Sequence, residues 1–263
     1  MDNAFKWDGA GYSSVNGIQT SVGERLIESI PLLPDMSVLD AGCGNGDITF
    51  LLARKLPHGH VTAVDLSESM IQQAEKSLKA QGLRNIEFHV CGVNELEYEN
   101  KFDLVFSNSV LHWVPEIEDC IRRFYRALKH GGLLRVQFPL LSAEHPFVSY
   151  AQRAIRELGF TERVSDWIFP WYVPAGSEQF VRLLKDSGFA DAEAAPEARL
   201  FPFPSADAIY RQFSSVGLSL FAAPLGEREK AAFFERVLSD LREDFPSGAR
   251  LPYARLFAKA VKP

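Results

Sequence analysis

The sequence predicts an α/β fold: a mostly parallel sheet of seven strands, helices on both faces, and a helical cap built from insertions in the carboxyl-terminal half. Three observations carry that expectation. Short apolar runs alternate with amphipathic helical patterns through residues 34–140, which implies parallel strands joined by right-handed crossovers. A glycine-rich turn, Gly42-Cys43-Gly44-Asn45-Gly46, follows the first strand directly. Beyond Leu140 the alternation gives way to aromatic, helix-rich stretches.

The elements follow in order. A helix is expected from about Ile18 to Ile30, ended by Pro31 and Pro34. Ser37–Ala41 is the first strand, and the helix after the glycine turn aligns Ile48, Leu51, Leu52 and Leu56 on one face. Val61–Asp65 is the second strand. Ser67 caps the next helix, whose stripe of Ile71, Ala74 and Leu78 ends at Gly82. Ile86–Val90 and Phe102–Phe106 are the third and fourth strands. A helix from about Glu116 to Lys129 stops at Gly131-Gly132, and Leu133–Phe138 is the fifth strand. Residues 144–174 read as helical and aromatic, and Ser177–Ser187 as a helix closed by Gly188. Ala190–Phe201 and Tyr253–Val261 complete the sheet, with two helices over 205–244 between them. Residues 1–33 are then an amino-terminal lid and helix, and 34–263 the main domain. Cap insertions fall at about 141–175 and 204–246, over the carboxyl edge of the sheet where ligands bind in open α/β folds.

Composition narrows the classes of function. A net charge of −6 lacks the clustered lysine and arginine of a nucleic-acid binder; Arg122-Arg123 is the one dense basic pair and lies in an amphipathic helix. Cys43, Cys91 and Cys120 are widely spaced, without C-x-x-C or zinc-finger spacing, so neither disulfide framework nor metal is expected. Met1-Asp2-Asn3-Ala4-Phe5-Lys6 lacks the apolar run of a signal peptide, and no stretch approaches the roughly 20 apolar residues that span a bilayer. The expectation is a cytoplasmic protein without membrane or nucleic-acid partners.

The informative motif is Val38-Leu39-Asp40-Ala41-Gly42-Cys43-Gly44-Asn45-Gly46. Its glycines let the chain turn sharply and approach a ligand closely. The spacing is G-x-G-x-G, whereas G-x-G-x-x-G favours a dinucleotide pyrophosphate. Asp65 ends the second strand, where a carboxylate can accept both hydroxyls of an adenosine ribose. Asp40 can meet a cationic amino group and would repel a pyrophosphate. Each aspartate alone is equally well read as a turn or capping residue; together with the glycines they point to a cofactor that is both nucleoside and amino acid.

With these residues in place, the chain resembles the class I S-adenosylmethionine-dependent methyltransferases. It is similar to the branch containing the trans-aconitate, malonyl-carrier-protein and juvenile hormone acid enzymes. The resemblance is concentrated in residues 34–140. It extends to Gln19 and to Phe169-Pro170-Trp171-Tyr172-Val173-Pro174 leading into Leu183-Leu184-Lys185-Asp186-Ser187-Gly188-Phe189. It implies a Rossmann-like fold and S-adenosylmethionine as cofactor. Gly42, Gly44 and Gly46 would approach the methionine part, with Cys43 between them among the cofactor-binding residues; Asp65 would hold the ribose, and Leu66 and Met70 would flank the adenine. The family's acidic adenine contact falls on Gly92 here, in Cys91-Gly92-Val93-Asn94; the Asn94 side chain and the Val93 backbone are the substitutes.

The sulfonium is an activated methyl donor, so the protein's task is alignment and exclusion of water, and no triad or metal is required. The fourth strand runs into Ser107-Asn108-Ser109-Val110-Leu111-His112-Trp113. By the resemblance, Asn108 lies near the sulfur end, and Gln19 and Trp113 hold a carboxylate of a small-molecule acceptor. A neutral amide and an indole N–H orient a carboxylate without the charge neutralisation of arginine. Trp113 is otherwise a core residue and Gln19 a solvated helix residue. His112 is a candidate general base, which a carboxylate acceptor does not need. Tyr12 belongs to the lid, and Trp171 joins the candidate acceptor contacts. Arg199, Arg211 and Tyr253 are further candidates, each also read as a surface or packing residue. The leading expectation is carboxylate O-methylation of a small or carrier-bound acid by a monomer or weak dimer. C-, N- or phenolic O-methylation by the same fold stands second. A dinucleotide oxidoreductase is disfavoured by G-x-G-x-G and Asp40, and a non-catalytic cofactor-binding module by the intact glycines and Asp65.

Overall fold

The structure, a computed structural model, describes residues 17–140, 145–167, 170–173 and 176–263. Its elements run in chain order α1 (Gly17–Glu28), β1 (Ser37–Ala41), α2 (Asp47–Lys55), β2 (His60–Asp65), α3 (Glu68–Gln81), β3 (Ile86–Val90), β4 (Phe102–Asn108), α4 (Ile117–Ala127) and β5 (Leu128–Pro139). Then come α5 (Pro146–Glu157), α6 (Thr161–Val164), α7 (Ser177–Asp186), β6 (Ala190–Phe203), α8 (Ala206–Phe213), α9 (Ser219–Ala222), α10 (Glu227–Asp244) and β7 (Ala249–Val261). All seven strands form one sheet in the order β3-β2-β1-β4-β5-β7-β6. The pairings from β3 across to β5 are parallel, and β7 is antiparallel to β5, with Gln137 opposite Phe257 and Pro139 opposite Arg255.

The central strands are apolar because both their faces are covered. Val38, Leu39 and Ala41 of β1, Val61, Ala63 and Val64 of β2, and Leu104, Val105 and Phe106 of β4 are fully buried. Helix α1 packs on α2 and β5, α2 and α3 on β2, and α4 on β4, β5 and α7. Phe102, Phe106, Phe124 and Phe138 are buried, each contributing about 1.5–3 kcal/mol through removal from water. Ser67 caps α3, its hydroxyl accepting from the Met70 N–H, and Gly82 closes that helix at a positive φ of 69°. Both ends match their sequence signals.

The chain divides into two compact units. One runs to Pro139 and adds Trp171–Glu197 and Arg255–Pro263; the other comprises Leu140–Pro170 and Ala198–Ala254. Within the second unit, α10 packs on α5 and α8, and the Tyr150 hydroxyl donates to Asp244 at 2.6 Å. No helix among the described residues is long and apolar enough to cross a membrane.

Several sequence boundaries move. Helix α1 stops at Glu28 rather than Ile30. Helix α4 stops at Ala127, because Leu128 is captured by β5 and pairs with Phe102. Gly131, at φ 76°, is therefore no helix stop; it sits in a register irregularity inside β5. The helical reading of 144–174 holds only for α5 and the single turn α6, separated at Gly159 with φ 72°; residues 170–173 are not helical. The two helices expected over 205–244 are α8, α9 and α10, with a π-helical turn at Ser214–Leu218. A Cβ on Gly217 would lie 2.6 Å from the Phe147 ring, so the bare backbone of that turn lets the ring close on it.

Candidate functional site

Strand β1 delivers the chain into its glycine turn at the carboxyl edge of the sheet. The N–H groups of Gly42 and Cys43 both donate to the Val64 carbonyl, at 2.8 and 2.9 Å, which anchors the turn on β2. Gly42, Gly44 and Gly46 all take positive φ, at 82°, 56° and 84°, where a side chain is strained. The three serve different ends. A Cβ on Gly42 would lie 2.1 Å from Val110, and one on Gly46 would press on Ala74, Phe50 and Phe88. A Cβ on Gly44 would meet nothing within 4 Å. Gly44 is thus the one whose backbone faces open space, while Gly46 serves packing.

Gln19, Thr20, Asp40, Gly42, Cys43, Gly44, Asn45, Asp47, Ile48 and Asn108 line one cleft. Asp40 is buried and accepts from the Thr49 hydroxyl at 2.6 Å. Burial pushes its pKa up to about 7, against the Thr49 hydrogen bond; the charge of Asp65 adds to the rise. Asp65 accepts from the Gly44 N–H and the Ser67 N–H, each at 2.9 Å. Its carboxyl is also raised by burial, opposed by those two bonds.

The adenine-side candidates lie beyond β2 and β3. Leu66 is 68% exposed, Met70 is buried, and the position of a Gly92 Cβ lies 3.5 Å from Leu66. The Gly92 N–H donates to Glu95 at 3.0 Å, closing the short turn that carries Val93 and Asn94. Oδ1 of Asn94 is shielded from solvent and has no hydrogen-bond partner among the described residues.

At the other end Gln19 is buried rather than solvated, its Oε1 without a hydrogen-bond partner among the described residues. Its backbone carbonyl accepts from Asn108 Nδ2 at 3.4 Å. Asn108 Oδ1 accepts from Gln137, which also donates to Ser109 Oγ at 2.8 Å. His112 is buried between two indoles, its ring 4.5 Å from Trp113 and 4.4 Å from Trp171. Burial holds the imidazole well below its usual pKa, helped by the charge of Arg255. Trp113 and Trp171 are partly exposed, so neither is a closed core residue. Tyr12 lies outside the described residues.

Residue-level reading missed Thr49, Gln137 and Arg255. Thr49 was visible as a hydroxyl in the first turns of the helix behind Asp40. Arg255 was visible as a cation at an inward position of a strand in which Leu251, Tyr253 and Arg255 alternate with exposed or half-buried residues.

These residues fit a ligand carrying a cationic amine at one end and a nucleoside at the other. The glycine cleft contains a buried carboxylate and is lined by Gln19, whose shielded acceptor oxygen, like that of Asn94 after β3, has no hydrogen-bond partner among the described residues. Comparison with known proteins agrees. Residues 32–167 match a family model described as a methyltransferase domain. The chain is 30% identical to a trans-aconitate 2-methyltransferase of Paracidovorax citrulli over 269 residues, covering 97% of both proteins. It is 28% identical to the Deinococcus radiodurans protein of the same name over 267 residues, covering 98% of both. Among solved structures, phosphoethanolamine N-methyltransferase 2 of Haemonchus contortus, in complex with phosphomonomethylethanolamine and S-adenosylhomocysteine, shares the fold. Its TM-score is 0.61 at 22% identity, over 97% of this chain and 57% of that one. The chain belongs to the methyltransferase-domain family and is an S-adenosylmethionine-dependent methyltransferase of Rossmann-like fold.

Proposed function

We propose that the chain transfers a methyl group to a carboxylate oxygen of a small organic acid, free or carrier-bound, in the cytoplasm. The cofactor supplies the activated methyl group, so the protein has to bind, orient and keep water out. Asp40 faces the amino group, Gly44 lets the backbone approach, and Asp65 takes the ribose hydroxyls. Asn94 Oδ1 accepts from the adenine amino group, in place of the acidic residue that Gly92 replaces.

The observation that carries the acceptor class is the indole-walled, neutral state of His112. A hydroxyl, amine or carbon acid must lose a proton, and a base with a strongly depressed pKa is a weak one. A carboxylate arrives ionised and needs only donors to orient it. Gln19 and Trp113 supply an amide and an indole N–H without cancelling its charge. The two curated relatives above are named for trans-aconitate, which makes that acid the first acceptor to assay.

The test is a screen of acids, amines and phenols with methyl-labelled cofactor. A product whose label is released as volatile methanol by mild alkali is a methyl ester and supports the reading. An alkali-stable product from an amine, phenol or carbon acid overturns it.

A further inference from the structure

Resting on the carboxylate reading above, we propose that Gln19 joins the two ligands. Its Oε1 accepts from the cofactor's ammonium beside Asp40, and its Nε2 is thereby turned toward the acceptor's carboxylate. Gln19 is 9% exposed on α1, and its Oε1 is shielded from solvent without a hydrogen-bond partner among the described residues. A buried carbonyl oxygen left unbonded costs stability, so a folded protein keeps one where a ligand completes it. The surroundings define that ligand group. The described residues lining the cleft include Asp40 and Asp47 and no lysine or arginine. Such a wall attracts a cation and repels a carboxylate. An ammonium carries three donors, enough for both a buried carboxylate and an amide oxygen.

Helix α1 is held where Gln19 reaches this position. The Gln19 main-chain carbonyl accepts from Asn108 Nδ2 at 3.4 Å, and Asn108 Oδ1 accepts from Gln137 of β5. Gly23, one turn further along α1, has no side chain to keep the helix away. A Cβ there would lie 2.6 Å from Ile48 Cδ1 and 3.0 Å from Asn108 Nδ2. Glycine weakens a helix interior relative to alanine, so its place in the middle of α1 has a packing reason. Ile48 and Asn108 both line the cleft, so the wall of the cleft itself seats the helix that carries Gln19.

An order of binding follows. The oxygen and nitrogen of an amide point in fixed, diverging directions. Once the ammonium holds Oε1, Nε2 is aimed rather than free to turn, and the carboxylate meets a preorganised donor. Without the ammonium that restraint is missing. The cofactor therefore binds first, and the affinity for the acceptor depends on an amino group that the acceptor never touches.

The test uses S-adenosylhomocysteine and its analogue with hydrogen in place of the amino group. Both are titrated calorimetrically into wild type, Gln19→Met and Gln19→Glu; methionine matches the length of glutamine without its acceptor, and glutamate keeps an acceptor. Gln19→Met is expected to lose about tenfold or more in affinity for S-adenosylhomocysteine and less than about twofold for the analogue. Its unliganded melting temperature should be no lower than that of wild type, because Oε1 makes no bond within the protein. Gln19→Glu should keep S-adenosylhomocysteine affinity at or above that of wild type. Equal losses on both ligands, or unchanged S-adenosylhomocysteine affinity in Gln19→Met, overturns the proposal. Trans-aconitate is then titrated into the two wild-type complexes, and should bind the S-adenosylhomocysteine complex about tenfold or more tightly than the other. Equal affinity for both complexes overturns the link between the ligands. If the acid binds neither complex, the carboxylate reading falls, while the first comparison still decides whether Oε1 holds the ammonium.

Discussion

The carboxylate of Asp65 accepts the backbone N–H of Gly44 at 2.9 Å, so a side chain ties the end of β2 to the glycine turn after β1. The other oxygen accepts from Ser67, the cap of α3. One aspartate thus braces both the glycine turn and the start of α3. Each carboxylate oxygen has a second lone pair, which leaves acceptor capacity for ligand hydroxyls without dismantling the turn.

Asp65→Ala removes both functions at once. Cofactor affinity is expected to fall at least tenfold by calorimetry, equivalent to about 1.4 kcal/mol. The two released N–H groups also lower stability, by roughly 1–3 kcal/mol in thermal unfolding. Unchanged affinity in a folded variant would refute the ribose role.

Gly42 and Gly44 separate folding from binding. Gly42→Ala drives a methyl group into Val110 at 2.1 Å and strains the backbone, so a loss of roughly 2–4 kcal/mol is expected. Val110→Ala in the same chain restores part of it. Gly44→Ala clashes with nothing and costs about 1 kcal/mol of backbone strain. Its methyl group enters the cleft, so cofactor affinity falls at least tenfold while the melting temperature changes by only a few degrees. Equal effects of the two substitutions on melting temperature would contradict this assignment.

Local signals explain which parts of the fold and site were legible. β1 through β4, the Ser67 cap and the glycine turn are set by neighbours in sequence, so periodicity and turn chemistry reveal them. The start of β5 is set by Phe102, 26 positions before its partner Leu128, and the helical stripe that continues through Leu128 conceals it. The insertion of β7 between β5 and β6 likewise leaves no local trace. In the candidate site the backbone-defined half, Asp40 to Asp65, was visible. The network of Ser109, Gln137 and Arg255 links the residue after β4 to β5 and β7 through side chains; the spacing of Arg255 in its strand hints at an inward cation, but no local pattern shows its partners.

Asp40 makes stability and cofactor binding depend on pH. Its folded pKa of about 7 lies above its unfolded value of 3.8, so the folded state holds the proton more tightly. Well below pH 3.8 both states are protonated and Asp40 costs nothing. As pH rises from 4 to 7 the unfolded chain ionises first and stability falls, by at most about 4 kcal/mol above pH 7. Asp40→Asn keeps an acceptor for Thr49 and removes the ionisation. The melting temperature of Asp40→Asn relative to wild type should therefore rise from near zero difference at about pH 3 to several degrees at pH 8. A cationic amine facing Asp40 favours its ionised form, so cofactor binding to the wild type releases a proton near pH 6. Titrations in buffers of different ionisation enthalpy detect that release, and it should vanish in Asp40→Asn.

His112 distinguishes the acceptor classes most sharply. Burial first, and then the charge of Arg255, holds its imidazole well below the usual pKa of 6.5, so the folded protein resists its protonation. Stability tied to the neutral ring is complete above pH 6.5 and is lost as pH falls below that value, because the unfolded histidine takes up a proton the folded one refuses. His112→Gln should flatten that acid-side loss in thermal unfolding. On a carboxylate acceptor it should leave kcat within about threefold of wild type, whereas removal of a true general base costs roughly 10²–10⁴-fold. The wild-type kcat should likewise show no histidine ionisation between pH 6 and 9. A hundredfold loss in His112→Gln, with cofactor and acceptor affinity intact, would make this imidazole the proton acceptor. The methylated atom would then be sought in a hydroxyl, amine or carbon acid.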